Sequence, residues 1–382
     1  MNKKILILSL ALVLAISLFA IGCGSEEETT TTTAAPAETT TTAAAGETTT
    51  TAAPAETTTT AGEPQEVINL TFNDHNPPEN AMAQGLQAYA KYIEDNSGGR
   101  VKIDVQLGGA LYGNQEIFDG VRTGGADAGT YVIETGDGFY YANATALPFM
   151  TYAGTEDAVA TYWELYDAFP EIAKEFEDLG LVYGAHFAMP PVHVHWHDAN
   201  VVVTTPDDLK GKSLLALEGY VAEWFKMLGA STENPTFQDV FSMIDNRSAD
   251  GYIQHFNFLG GFDLIKEYQS HTLFGDSGVL MMNLGVIWNK DTWDSLPADI
   301  QQIAIDAREV YVQTGNEVSE KDAEIFMAQV EELNHTATVL TAEQMKPWQE
   351  KLATVYDKWV ADAPDPAVGQ QIYDKLVELV AQ

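Results

Sequence analysis

Two spacings of hydrophobic residues alternate along most of this chain. Residues 67–72 and 101–105 show the alternating pattern of β-strands, whereas apolar residues in 82–95 recur every three or four positions, as in an amphipathic helix. Strands that alternate with helices of this length are typical of a sheet with parallel strands. The pattern therefore predicts an α/β fold. Further strands are predicted at 128–133, 181–185, 192–196, 213–217 and 279–288, and further helices at 115–123, 156–178, 220–228 and 236–244.

The last part of the chain has a different pattern, which is dominated by helices. From Pro297 one very long helix is predicted to continue to about Asn334, with apolar residues along one stripe. Two further helices are predicted at 342–360 and 367–379. A single α/β domain seldom ends in helices of this length, so we expect the long helix to pack across two lobes.

The first residues form a separate apolar pattern. A pair of lysines precedes an apolar run at residues 5–21, and the only cysteine of the chain, Cys23, follows this run. The order is typical of a secretory signal peptide, with a membrane-spanning anchor as the alternative. Residues 19–23 (FAIGC) resemble the lipobox of bacterial lipoproteins. The resemblance implies removal of residues 1–22 and lipidation of Cys23, which would anchor an extracytoplasmic protein to the cell membrane.

Residues 23–66 have the composition of a disordered tether. They consist almost entirely of Thr, Ala, Glu, Pro and Gly, and the unit AAPAETTTT occurs twice. A segment without aromatic or large aliphatic side chains cannot bury enough surface to offset the entropy that is lost on ordering. We therefore expect this segment to hold the folded residues 67–382 at a distance from the membrane surface.

The charge of the chain narrows the classes of function. It has 19 basic and 56 acidic residues, which give a net charge of −37. Nucleic-acid binding is not expected, because phosphate backbones require lysine and arginine. The single cysteine excludes disulfides within the chain and metal sites with several thiolates. No nucleophile elbow, HExxH zinc motif or phosphate-binding loop occurs. We therefore expect no catalytic residues and no cofactor, and an extracellular hydrolase is the less favoured alternative.

Eight short motifs occur along the folded part in an order that characterises one known family. The closest match is TPDDLKG at 205–211, and a second is WDSLP at 293–297, directly before the long helix. The other six motifs lie at 97–101, 108–113, 121–130, 147–149, 228–230 and 249–251. On these motifs, residues 67–356 resemble the extracytoplasmic solute-binding protein of TRAP transporters, of the DctP type that binds dicarboxylates.

The resemblance implies a two-lobed periplasmic-binding-protein-like fold with a long inter-lobe helix. Lobe one would comprise about 67–190 and 276–296, lobe two about 191–275, and the helices of 297–382 would bridge and cover both. Such a protein captures a small organic solute by closing its lobes and delivers it to the membrane permease subunits of a TRAP transporter. We expect a monomer. A ligand-sensing module for a membrane receptor would share this fold and is the alternative function.

The chain departs from the family at the expected anchor for a carboxylate. Family members usually carry an arginine in the strand after the DLKG motif, where this chain has Leu215. A second arginine, expected further upstream, is also missing from residues 191–197. A buried carboxylate without a cationic partner costs several kcal/mol, so a ligand other than a simple carboxylate is favoured. If a carboxylate binds nevertheless, His195 or Arg247 would have to supply the positive charge.

The remaining candidates come from position, residue type and the resemblance. Asp74 and His75 follow the first strand, at the sheet edge where α/β folds bind ligands, and Glu218 would face a cationic group. The three histidines of HVHWH share one face of a strand, but side chains at that spacing lie about 7 Å apart, so we predict no metal site. The expected ligand-binding residues are Asp74, His75, Tyr131, His195, Glu218, Phe237 and Gln254.

Overall fold

The computed structural model describes residues 66–114, 116–133 and 135–380. The predicted signal peptide, Cys23 and the predicted tether up to residue 65 lie outside the described residues. Among the helices of the described part, none has both the length and the apolar character that crossing a bilayer requires.

The strands are β1 (Ile68–Asn73), β2 (Val101–Gln106), β3 (Ala128–Val132), β4 (Leu181–Ala188), β5 (Val192–Trp196), β6 (Ser213–Ala216), β7 (Ser231–Glu233), β8 (Gly251–His255), β9 (Ser270–Leu273), β10 (Asn283–Asn289) and β11 (Thr336–Val339). The helices are α1 (Ala81–Asn96), α2 (Ile117–Arg122), α3 (Thr155–Ala168), α4 (Pro170–Asp178), α5 (Gly219–Leu228), α6 (Phe237–Asp245), α7 (Phe256–Gly261), α8 (Lys290–Ser295), α9 (Ala298–Glu332), α10 (Ala342–Asp362) and α11 (Pro366–Val380).

The strands form two sheets, one in each lobe. The first has the order β2-β1-β3-β10-β4, in which β1 is parallel to β2 and β3 while β10 runs antiparallel to β3 and β4. The second has the order β11-β9-β5-β8-β6-β7, with β6 parallel to β7 and β8 and with β5 antiparallel to β8 and β9. Helices pack on both sheets. This arrangement confirms the predicted two-lobed α/β fold.

The described chain crosses between the two lobes at four places. It passes from β4 to β5 through residues 189–191, returns from β9 to β10 through 274–282, crosses to lobe two along α9 and, after β11, returns along α10. Helix α10 packs on α5 of lobe two, and α11 packs on α3 of lobe one. Strand β11 then pairs in parallel with β9 at the edge of the second sheet. The second lobe therefore includes a strand from the C-terminal segment, a contribution that the helical pattern of this segment does not predict.

Helix α9 joins the two lobes. Its first half packs on α1 and β4 of lobe one, and its second half packs on α7 and contributes Phe326 to the core of lobe two. Two glycines permit the close contact with lobe one. A Cβ atom at Gly85 of α1 would lie 3.1 Å from the Tyr311 ring. A Cβ atom at Gly315 of α9 would lie 2.7 Å from the Phe187 ring, so a larger residue there would push the helix off the sheet.

Some elements differ from the predicted ones. The helix predicted at 156–178 is divided, because α3 ends before Phe169 and α4 begins at Pro170. Proline lacks an amide hydrogen and disfavours helical angles in the preceding residue, and Phe169 is extended (φ −125°, ψ 97°). The strand predicted at 279–288 begins only at Asn283. Strands β7, β8, β9 and β11 are three to five residues long, too short to show a period of their own.

Candidate functional site

A cavity of about 1310 Å³ lies between the two lobes, at the carboxyl ends of β1, β6 and β8. Lobe one contributes His75 from the loop after β1 and Tyr131 from β3. Lobe two contributes Glu218 from the residues after β6 and Gln254 from the end of β8, and α9 contributes Ser319. Ligands of α/β proteins bind at the carboxyl ends of the strands, so this cavity is the expected place for a binding site.

Aromatic side chains form much of the cavity wall. In lobe one, the ring centroids of Phe118 and Tyr131 lie 5.1 Å apart. In lobe two, Phe237, Phe258 and Phe262 form a cluster in which the centroids of Phe258 and Phe262 lie 4.7 Å apart. Phe237 and Phe262 are 39% and 45% exposed. These rings therefore offer apolar faces that would be covered by a ligand, or by the opposite lobe when the two lobes close.

All the charged side chains that line the cavity are acidic in the part of the chain that the structure describes, and neither lysine nor arginine lines it. Asp119 lies at the exposed rim and forms an ion pair with Arg122. Oδ1 of Asp119 lies 2.8 Å from Nη2 of Arg122. Glu218 and Asp322 are half-buried. The five acidic lining residues are Glu79, Asp119, Asp137, Glu218 and Asp322. The cavity is therefore a region of negative potential.

The two histidines that line the cavity are neutral at pH 7. Burial lowers the pKa of His255 to about 4. It also lowers the pKa of His75, although the neighbouring Asp74 opposes this effect. Nδ1 of His255 accepts a hydrogen bond from the Phe258 amide at 3.2 Å, whereas Nδ1 of His75 has no partner among the described residues. Neither imidazole therefore offers a positive charge to a ligand.

Three polar residues on α7 and α9 have unused hydrogen-bonding capacity. Nδ2 of Asn257 donates to Oδ2 of Asp322 and to the carbonyl oxygen of Ser319, each at 3.3 Å. Oδ1 of Asn257 and the hydroxyl of Ser319 have no partner among the described residues, although Ser319 is only 6% exposed. All three residues line the cavity. We call Asn257, Ser319 and Asp322 the acceptor group.

Most of the predicted binding residues come together at the cavity. Asp74 and His195 do not line it, and both are fully buried behind its wall. Asp74 accepts hydrogen bonds from the Asn76 amide at 2.6 Å and from the Thr130 hydroxyl, and burial raises its pKa. Nε2 of His195 donates to the carbonyl oxygen of Gln254 at 3.0 Å. These two residues therefore hold neighbours of the cavity in place. The predicted residues that line it are His75, Tyr131, Glu218, Phe237 and Gln254.

Leu215 and the alternative charge donors lie away from the cavity. Leu215 is 1% exposed and belongs to the core of lobe two together with Val240 and Tyr252. Arg247 is exposed after the end of α6 and does not line the cavity. Burial lowers the pKa of His195 to about 3, so this side chain is neutral as well as buried. Neither Arg247 nor His195 therefore offers a positive charge to a ligand.

The histidines of the HVHWH segment, in and directly after β5, make separate contacts within the protein. The Phe274 amide donates to Nδ1 of His193 at 3.2 Å, and Nδ1 of His197 lies 2.7 Å from the carbonyl oxygen of Glu267. No group of three or more potential metal ligands occurs among the residues for which the structure gives positions. These imidazoles serve as hydrogen-bonding groups inside lobe two.

The acceptor group was not among the residues that the sequence singles out. Asn257 belongs to a short helix without a clear period, and the many exposed charges of α9 obscure Ser319 and Asp322. One feature of the sequence could have pointed to this part of the cavity. Asn316 and Ser319, three residues apart, are polar where the buried stripe of α9 continues towards Phe326. Polar residues on a buried stripe require partners, and a ligand can provide them.

The family comparison agrees with the sequence motifs. The model of the DctP family, described as "Bacterial extracellular solute-binding protein, family 7", matches residues 72–362. The chain is 23% identical over 338 residues to the C4-dicarboxylate-binding protein DctB of Bacillus subtilis (strain 168). This similarity covers 82% of this chain and 87% of that protein. Proteins of this family bind solutes and are not enzymes.

Solved structures share the fold of this chain. A TRAP solute binding protein from Rhodoferax ferrireducens T118, in complex with copurified benzoate, is 19% identical with a TM-score of 0.71, over 82% of this chain and 98% of that one. A marine metagenome TRAP solute binding protein specific for aromatic acid ligands, in complex with 3-hydroxybenzoate, is 18% identical with a TM-score of 0.72, over 83% and 98%. Since the family model also matches most of the chain, the protein belongs to the bacterial extracellular solute-binding proteins of family 7, the DctP family.

Proposed function

We propose that the protein captures a small organic solute outside the cytoplasm and delivers it to the permease subunits of a TRAP transporter. The cavity that both lobes and α9 enclose carries this proposal. Pockets for small molecules usually have volumes of about 300–1000 Å³. The volume here, about 1310 Å³, exceeds that range and leaves room for the lobes to close around a ligand.

Closure would bring ligand contacts from both lobes together. A ligand that touches both lobes stabilises the closed arrangement, since it binds that arrangement more tightly than the open one. Phe237, Phe262 and Ile325 are 39%, 45% and 49% exposed at the cavity, and closure would cover them. The solute leaves chemically unchanged. The proposed ligand contacts are His75, Tyr131, Glu218, Phe237 and Gln254, with Asp74 and His195 as supporting residues.

The true ligand is expected to raise the melting temperature of the purified protein by several degrees. Binding to the native state alone stabilises it by about 2.7 kcal/mol at a ligand concentration of roughly 100 Kd. Differential scanning fluorimetry with a library of small acids and non-acids identifies the ligand, and calorimetry measures its affinity. Phe237→Ala should weaken binding. Met227→Ala, which removes a similarly exposed apolar side chain that does not line the cavity, should not.

Two results would contradict solute capture. One is a native protein that no member of the library stabilises. The other is a ligand that mass spectrometry recovers in chemically altered form, since a binding protein releases its solute intact. Uptake of the identified ligand by cells that contain the permease, and its loss without this protein, tests the delivery step separately.

We also propose that the protein is a lipoprotein, with residues 1–22 as signal peptide and 23–66 as tether. Cys23→Ser is expected to move the protein from the membrane fraction to the soluble extracytoplasmic fraction, since two acyl chains on Cys23 provide firm anchoring. Cell fractionation with immunoblotting measures this shift. Ser25→Ala keeps the cysteine and should leave the protein in the membrane fraction. Membrane retention of the Cys23→Ser variant would instead favour a membrane-spanning N-terminus.

A further inference from the structure

We propose that the cavity binds an organic ammonium ion with an apolar body, a primary amine on an aromatic or aliphatic skeleton, in place of a carboxylate. This inference rests on the proposed function and names the ligand class of the same site. The similar proteins described above are a C4-dicarboxylate-binding protein and two solute-binding proteins whose structures contain benzoate and 3-hydroxybenzoate. The inference therefore predicts a reversal of ligand charge within this fold.

The acidic residues that line the cavity make it unfavourable for an anionic ligand. Five carboxylates and neither lysine nor arginine line it among the residues with assigned positions. A carboxylate ligand would add a further negative charge in a partly enclosed space, whereas an ammonium ion would be attracted. Glu218 follows β6 of lobe two and Asp322 lies on α9, so acidic side chains from two elements face the same cavity.

The acceptor group provides a second and independent indication. Asn257 uses its Nδ2 donor on Asp322 and on the Ser319 carbonyl oxygen, which leaves its Oδ1 without a donor among the described residues. A buried acceptor that lacks a donor destabilises the protein. An ammonium group has three N–H donors, whereas a carboxylate has none. It can satisfy Asn257 Oδ1 and the Ser319 hydroxyl and add a charge-assisted hydrogen bond to Asp322.

The aromatic wall suits the rest of such a ligand. The faces of aromatic rings attract cations, and they also bury apolar carbon. Phe118 and Tyr131 supply rings from lobe one, and Phe258 and Phe262 supply rings from lobe two. An apolar body between these rings would be covered from both lobes. The histidines of the wall are neutral at pH 7 and do not oppose the cation.

Matched pairs of ligands test the sign of the ligand charge on the native protein. Benzylamine and benzoate share a ring and one further carbon, and putrescine and succinate share a four-carbon skeleton, so each pair differs in its charged groups. At millimolar concentrations the two amines are expected to raise the melting temperature and to release or absorb heat in titration calorimetry. Benzyl alcohol should bind more weakly than benzylamine, and the two acids should not bind.

Four variants with the same loss of one negative charge locate the site. Asp322→Asn and Glu218→Gln are expected to weaken amine binding about tenfold or more, because each removes a charged partner. Glu324→Gln on α9 and Glu223→Gln on α5 change exposed residues that do not line the cavity. These controls should leave the affinity within about twofold, since salt screens exposed charges. Melting temperatures without ligand check that each variant is folded.

The outcomes separate this inference from the proposed function. Binding of benzoate or succinate as tight as that of the matching amine would overturn the ammonium ligand and leave solute capture intact. Absence of amine binding to the folded native protein would also overturn it. Equal weakening by the control variants would show a general charge effect and would overturn the assigned site. Solute capture itself is contradicted by failure of the whole metabolite library or by recovery of a chemically altered ligand.

Discussion

Acidification from pH 7 to pH 5 is expected to destabilise this protein by several kcal/mol. The cause is a set of buried histidines that the native state holds neutral. Several of them lie in or beside β5, where they contact one another away from the solvent that a charged imidazole requires. Burial lowers the pKa of His186, His193 and His195 to about 3, of His255 to about 4 and of His271 to about 2.

The direction follows from proton binding in the two states. In the unfolded chain histidine has a pKa near 6.5, so below that pH the unfolded state takes up protons that the native state does not. The free energy of unfolding then falls by roughly 1.4 kcal/mol per pH unit for each buried histidine. Two acids act in the opposite direction, because burial raises the pKa of Glu175 to about 7 and also raises that of Asp74. The combined effect of five histidines on the free energy of unfolding is larger than the opposite effect of two acids. The loss is substantial, because the free energy of unfolding of a native protein is only about 5–15 kcal/mol.

Urea unfolding at several pH values between 8 and 5 measures this effect. The stability should be nearly constant above pH 7 and should fall steeply below pH 6.5. In His186→Gln the slope should be smaller by roughly 1.4 kcal/mol per pH unit, since one titrating group is gone. His186 stacks on Tyr162 and lies 2.7 Å from the Tyr183 hydroxyl, so this variant also loses stability at pH 7. Only the slope is diagnostic. A stability that does not change with pH would show that these histidines are solvated.

Leu215→Arg is expected to destabilise the protein by about 3–5 kcal/mol, although arginine is the usual family residue at this point of the motif pattern. Leu215 is 1% exposed, and its neighbours in the core of lobe two include Val240, Tyr252 and Tyr268. A guanidinium group there would lose its hydration and push apart a close-packed cluster. Urea unfolding at pH 7 measures the difference in free energy.

Leu217→Arg is the matched control. Leu217 lies two residues later, is half-buried and lines the cavity, so the same new side chain reaches water there. We expect this variant to lose about 1 kcal/mol or less and to bring a positive charge to the cavity. A Leu215→Arg protein as stable as the native one, with new affinity for benzoate, would contradict the burial of Leu215 and restore the family's usual anchor.

Elements with a strong period were predictable from the sequence, whereas short ones were not. The apolar spacing of 82–95 predicts α1, which spans Ala81–Asn96, and the stripe from Pro297 predicts a helix to about Asn334, slightly beyond the end of α9 at Glu332. Strands β8, β9 and β11 have no clear local pattern and pair with neighbouring strands of the second sheet. A strand of four residues such as β11 has no local pattern, so its pairing with β9 depends on where α9 ends.

Some features of the candidate site were also predictable from the sequence, and others were not. The sheet edge at which a strand ends follows from the pattern, and it placed His75 at the cavity, whereas Gln254 was singled out by the family resemblance because no strand was predicted at 251–255. The direction of each side chain does not follow from the pattern. Asp74 turns inwards because Asn76 and Thr130 donate hydrogen bonds to it. The acceptor group forms only where α7 meets α9, a contact between segments far apart in the chain.

The glycine contact that seats α9 on lobe one also restricts how the lobes move. A shift of α9 along its axis by one turn, about 5.4 Å, would place Tyr311 or Ser319 where Gly315 now meets the Phe187 ring. Even a Cβ atom at Gly315 would lie 2.7 Å from that ring, so axial sliding is blocked. Rotation of lobe two about the part of α9 beyond Gly315 would leave this contact in place. Ser319 lies one turn beyond Gly315, so a ligand that contacts Ser319 would touch the helix where it passes from lobe one to lobe two.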